Sequence, residues 1–170
     1  MQKEATIAVS SRTGNTAYIA EGVVDAARST GWTIVETENG KAPKTDVVVI
    51  CFWCRRHSLD DASLEYLSLC EGKRILALGT FGGYPTGAYA KKVRDNVANA
   101  ISERNECLGV FLCQGKLNES RIEKRRALPP DDPHHLDDFG YERALEGLKH
   151  PNETDLLYAK AFTRDFLPSC

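Results

Sequence analysis

The stretch AVSSRTGNTAYIAEGV, residues 8–23, changes character twice. Apolar residues run to Val9, and Ser10, Ser11, Thr13 and Thr16 then set four hydroxyls around Arg12 and Gly14. A helical pattern begins at Asn15, with Ala20, Val23, Val24 and Ala27 on one face. A helix N-terminus offers unpaired N–H groups and a partial positive charge, so such a turn suits an anion. Gly14 lets the backbone approach closely, and the Ser11, Thr13 and Thr16 hydroxyls add donors. A turn that only caps its helix needs one hydroxyl, whereas this one concentrates several. It lacks both G-x-G-x-x-G and G-K-[ST], which points to a monophosphate.

Around this turn, strand and helix patterns alternate. ATIAVSS (5–11) reads as the first strand and WTIVET (32–37) as the second. DVVVICFW (46–53) is a continuous β-branched run of the kind buried on both faces of a parallel sheet. RILALGT (74–80) and CLGVFLCQG (107–115) read as the fourth and fifth strands. Helices are expected over 15–29, about 60–70 with Ser58 or Asp60 as cap, and after the glycine-rich GTFGGYPTG, with Val93, Val97, Ala100 and Ile101 inward. A last helix has Tyr158, Ala159, Phe162 and Phe166 on one face and a capping box at Asn152 and Asp155. The alternation predicts a single α/β domain over 1–170 with a doubly wound parallel sheet. Residues 116–150 form an irregular insertion before the last helix, in which NESRIEKRRAL and YERALEGLKH are short helix candidates.

At Ser11-Arg12-Thr13-Gly14-Asn15-Thr16 the chain resembles the flavodoxin-like family, whose phosphate loop, T/S-x-T-G-x-T, directly follows the first strand. The resemblance implies a five-stranded sheet of order 2-1-3-4-5 in three α/β/α layers, with FMN bound at the carboxyl ends of the strands. It makes Ser10 to Thr16 the phosphate seat. The loop after the third strand, Phe52, Trp53, Cys54 and Arg55, and the loop after the fourth, Gly79, Thr80, Phe81, Gly82, Gly83 and Tyr84, would then enclose the flavin ring. Trp53 and Tyr84 are the expected stacking aromatics, with Phe81 a rival for the second place. The glycines would bring backbone N–H groups against the ring's carbonyl oxygens.

Two departures stand out. Flavodoxins acting as general carriers are strongly acidic, whereas here Arg55, Arg56 and His57 lie beside the expected ring, partly offset by Asp60 and Asp61. Cations there would ease full reduction of a flavin. Many flavodoxins also carry a glycine after the third strand, whose peptide turns on reduction. Trp53-Cys54-Arg55-Arg56 has none, and non-glycine residues resist positive φ.

The totals agree with a globular protein: 42% of residues are apolar, 27% are charged and the net charge is −2. Neither nucleic acid nor a membrane is an expected partner, and the N-terminus carries no signal-peptide pattern, so the expected setting is cytoplasmic. Cys51, Cys107 and Cys113 lie in strand-like runs and read as buried thiols. Cys51 and Cys54 have C-x-x-C spacing, but no helix starts at them to lower a thiol pKa; Cys54 beside two arginines remains a candidate reactive thiol. HHLDD (134–138) lacks zinc-site spacing and reads as a solvated loop, and no metal is expected. Arg121, Lys124, Arg125 and Arg126 read as an exposed helix face, or as a dock for an acidic partner. No general acid or base is evident. The expected function is an FMN protein carrying electrons between redox partners, a reductase and an acceptor. The alternatives are direct reduction of a small acceptor such as a quinone, or a flavin-free interaction module.

Overall fold

The computed structural model describes residues 3–168. Five parallel strands form the sheet: β1 (Glu4–Val9), β2 (Thr33–Glu36), β3 (Val47–Arg55), β5 (Arg74–Phe81) and β6 (Glu106–Gln114). Their order, β2-β1-β3-β5-β6, is the order the resemblance implied. A further two-residue strand, β4 (Ser58–Leu59), too short to show a period in the sequence, folds back antiparallel on the end of β3.

The period of a strand divides the core into two halves. Val47, Val49 and Cys51 of β3 face α1 (Asn15–Ser29) and α6 (Glu153–Phe166). Val48, Ile50 and Phe52 face α2 (Asp61–Ser68) and α3 (Ala88–Ser102). This is the three-layer arrangement, and it explains why β3 reads as one unbroken apolar run. Gly79 is paired with Phe52 across β3 and β5, and a Cβ there would lie 2.3 Å from the Phe52 ring.

Asn152 and Asp155 form the expected capping box at the start of α6. The inward stripe of α6 is Asp155, Ala159 and Thr163, however, with Phe162 packed beside it. Centring on Ala159 and Thr163 turns Tyr158 out to 65% exposure, so the expected face is corrected at that residue. The segment 116–150 holds α4 (Glu119–Arg126), capped by Asn118, and α5 (Asp138–Gly147), capped by Asp137. Ile122, Leu136 and Ala144 make a small core of their own beneath these two helices. In HHLDD, Asp137 is thus a cap, Asp138 pairs with Arg126 and the His135 ring meets the Leu128 carbonyl at 2.8 Å.

Candidate functional site

A cleft of about 380 Å³ opens at the carboxyl edge of the sheet. That volume lies in the range of small-molecule sites. Its walls are Arg12, Thr13, Asn15 and Thr16 from the first turn, Trp53 and Cys54 from the end of β3, and Thr80, Phe81 and Gly82 from the end of β5. The fourth wall is Gly115 to Asn118 with Arg121 and Arg125.

Gly14 holds the turn in a left-handed conformation, φ 93°, with open space where a side chain would stand. It supplies no side chain to cap α1. Ser11 Oγ accepts from the Ala17 N–H at 3.1 Å, and the intrahelical ladder starts with Tyr18 N–H to Gly14 O at 3.0 Å. The N–H groups of Asn15 and Thr16 have no acceptor among the described residues. The two free N–H donors in the first turn of α1, with Arg12 beside them, form a donor set that fits a phosphate.

Thr16 does not add its hydroxyl as expected. The side chain is buried, and its Oγ1 donates to the Phe52 carbonyl at 3.2 Å. With that proton engaged, the 2.9 Å contact with Thr80 Oγ1 has Thr80 as donor. The pair locks the α1 turn to the ends of β3 and β5.

Asp60 makes a second tie. It is 1% exposed and caps α2. Its carboxyl oxygens accept from Ser10 Oγ at 2.7 Å, the Trp53 N–H at 3.3 Å, the Ser63 N–H at 3.2 Å and Ser63 Oγ at 2.8 Å. Ser10 therefore braces the turn from behind rather than facing the cleft.

Other expected residues also lie away from the lining. The Phe52 ring is wholly buried, and Gly79 sits in β5 where its missing side chain makes room for that ring. Gly83 is packed against Phe81 and Tyr89. Tyr84 turns to Phe139, with ring centroids 6.1 Å apart, so Phe81 rather than Tyr84 is the second aromatic of the cleft. Phe139 lies 55 residues further on, which explains why the sequence concealed the pairing. Trp53 has the Arg12 guanidinium over its ring at 5.5 Å.

The charges beside the ring site are also rearranged. Arg55 is ion-paired with Asp61. Arg56 and His57 have φ of 50° and 64° and form the two-residue turn joining β3 to β4. Two successive left-handed residues are what a tight hairpin turn requires. The hairpin register thus imposes positive φ here without a glycine. The His57 carbonyl accepts from Asn96 Nδ2 at 3.0 Å, and its ring meets Tyr89 edge-on at 5.6 Å.

Burial pushes the Cys54 thiol up to about 11 and the Cys51 thiol up to about 12. Burial thus works against the thiolate at Cys54, despite the neighbouring Arg55 and Arg56 in sequence. The five cysteines within the described residues are unpaired; Cys170 lies outside them.

Sequence reasoning missed the wall from Gly115 to Arg125. The signal available was its position, immediately beyond the carboxyl end of the last strand and on the same edge as the other three loops. The basic cluster does not form a single exposed face. Arg121 and Arg125 turn to the cleft, whereas Arg126 pairs with Asp138 and stacks on Tyr141 at 5.0 Å.

A family profile described as "Flavodoxin domain" matches residues 6–164. The flavodoxin-like domain-containing protein BilS of Clostridioides difficile (strain CD3) is 27% identical over 125 residues, covering 72% of this chain and 70% of that protein. An NAD(P)H:quinone oxidoreductase from Methanothermobacter marburgensis superposes with a TM-score of 0.58 at 10% identity, over 99% of this chain and 97% of that one. A flavodoxin from the domain Archaea gives a TM-score of 0.53 at 13% identity, over 96% and 95% of the two chains. The two structural likenesses show a shared fold.

Proposed function

The chain belongs to the flavodoxin domain family, and we propose that it binds one FMN non-covalently and carries electrons between redox partner proteins. The observation that carries this reading is the cleft itself. One cavity joins a helix N-terminus with two free N–H groups, two aromatic side chains and a glycine-bearing loop end at the carboxyl edge of a parallel sheet. The N–H groups of Asn15 and Thr16 and the Thr13 hydroxyl would hold the phosphate. Trp53 and Phe81 would bound the ring, and Gly82 gives the backbone close access to its polar edge.

FMN would supply the electron-transfer chemistry, and the protein supplies binding, orientation and charge. The side chains of the cleft fit that division: its lining includes no carboxylate and no histidine, and the Cys54 thiol is held protonated at neutral pH. A carrier acts between a reductase and an acceptor, and these are the partners we infer. A cytoplasmic setting belongs to the same reading, in keeping with the unpaired thiols. No helix among the described residues is long and apolar enough to cross a membrane.

The test is the visible spectrum of the purified protein with and without added FMN, followed by anaerobic reduction. A perturbed flavin spectrum with quenched fluorescence is expected. Reduction by NAD(P)H should need an added reductase; unaided NAD(P)H oxidation would replace the carrier by a direct reductase of a small acceptor. Failure to bind FMN would leave an interaction module.

A further inference from the structure

Four of the side chains lining the cleft, Arg12, Lys116, Arg121 and Arg125, are cationic, and none is acidic. None of the four forms an ion pair among the described residues. Several cations elsewhere are matched. Arg126 pairs with Asp138 and Arg55 with Asp61, and in a smaller hollow around residues 35–45 both Lys41 and Lys44 meet Glu38. The chain has 22 Lys and Arg against 24 Asp and Glu, so this local excess is not a by-product of composition. Like charges gathered in one concavity repel unless an anion joins them.

Three of these cations come from one segment, and its placement is specific. Asn15 Nδ2 donates to the Lys116 carbonyl at 3.0 Å. A Cβ on Gly115 would lie 2.7 Å from the same amide nitrogen, so the chain leaving β6 rests directly on the first turn of α1. α4 rises from that point. Ile122 is 1% exposed and anchors α4 against Leu136 and Ala144. Arg121 and Arg125, one turn apart, are left facing the cleft. Arg125 Nε donates to the His134 carbonyl at 2.9 Å, which fixes the arm while its terminal amino groups keep their donors.

We propose that α4 and the segment leading into it form a cationic wall for the cofactor's phosphate: Lys116, Arg121 and Arg125 line the cleft beside the α1 turn and face the dianion there. The inference rests on the FMN reading and gives residues 116–126 a purpose within it. Selection of phosphorylated over unphosphorylated flavin then depends on side-chain charge as well as on backbone N–H groups. Arginine suits the role because its planar fork matches a phosphate edge.

The test is a fluorescence titration of the full-length apoprotein with FMN and, separately, riboflavin, at low and high salt. The variants are Arg121→Gln with Arg125→Gln, Lys116→Gln, and Lys124→Gln as an exposed control on the same helix. The double variant should weaken FMN roughly tenfold to a hundredfold, with riboflavin unchanged and the salt dependence of FMN binding flattened. Lys116→Gln should give a smaller loss of the same kind, and Lys124→Gln should match wild type. An equal loss for both flavins in the double variant would overturn the wall, because it marks lost packing. Unchanged FMN binding would also overturn it. If wild-type protein binds both flavins equally, the cleft still takes a flavin but the wall fails. If it binds neither, the FMN reading itself falls.

Discussion

Replacing Asp60 by alanine should cost far more than replacing its neighbour Asp61. Asp60 is 1% exposed, and its two oxygens accept four hydrogen bonds linking Ser10, the Trp53 backbone and Ser63. Loss of the α2 cap alone costs about 1 kcal/mol. The Trp53 N–H, left without an acceptor at the end of a buried strand, adds about 1–3 kcal/mol. The sum, about 2–4 kcal/mol, corresponds in a chain of this size to a melting-temperature drop of about 5–15 °C. Asp60→Asn keeps one accepting oxygen but turns an amide donor toward Trp53 N–H and Ser63 Oγ, so about half that loss is expected. Asp61 is exposed and pairs only with Arg55, so Asp61→Ala should cost at most about 1 kcal/mol. The assay is urea denaturation followed by far-UV circular dichroism, with flavin affinity measured on the same samples. Equal losses for Asp60→Ala and Asp61→Ala would refute the reasoning, since they would show the buried carboxylate bears no more than an exposed one.

Three further outcomes are expected. Gly79→Ala should destabilise by roughly 1–3 kcal/mol, because its Cβ would meet the Phe52 ring at 2.3 Å; Phe52→Leu in the same chain should recover part of the loss in a double-mutant cycle. Burial holds the Cys51 thiol up to about 12, so above about pH 9 the folded state binds more protons than the unfolded one. Stability from that group is therefore complete below about pH 8.5 and falls as pH rises, by about 2 kcal/mol at pH 10.5; urea midpoints against pH should show a decline that Cys51→Ala makes shallower. Trp53→Ala should weaken FMN by roughly tenfold and remove most of the tryptophan quenching on binding, because the other tryptophan, Trp32, is buried beneath Lys3 away from the cleft.

The parts legible in the sequence were those with a long signal. The apolar run of β3 and the hydroxyl turn after β1 occupy enough residues to show period and composition, and strand order followed from the resemblance. What stayed hidden depended on single orientations. A two-residue strand such as β4 has no periodicity, so neither it nor the left-handed pair Arg56 and His57 left a mark. α4 buries one side chain, Ile122, and a single buried position does not tell from sequence which way Arg121 and Arg125 face. Phe139, 55 residues further along the chain, reached Tyr84 with nothing local to announce it. The turn around Gly14 was found while the use of its hydroxyls was not, because whether Thr16 bonds a ligand or the Phe52 carbonyl is decided by tertiary packing.

The contact between Asn15 and the Lys116 carbonyl spans 101 residues of chain, and the Thr16–Thr80 contact spans 64. Such contacts close late, after the loop entropy between them has been overcome. The cleft is thus complete only when the last parallel strand has joined the sheet, and a half-formed chain has no place for the ligand. Any ligand taken there is bound by the native state alone, and at a hundred times its dissociation constant it adds about 2.7 kcal/mol to global stability. Flavin capture would then time the final docking step of folding, and a refolding reaction read by flavin fluorescence would lag one read by the burial of Trp32.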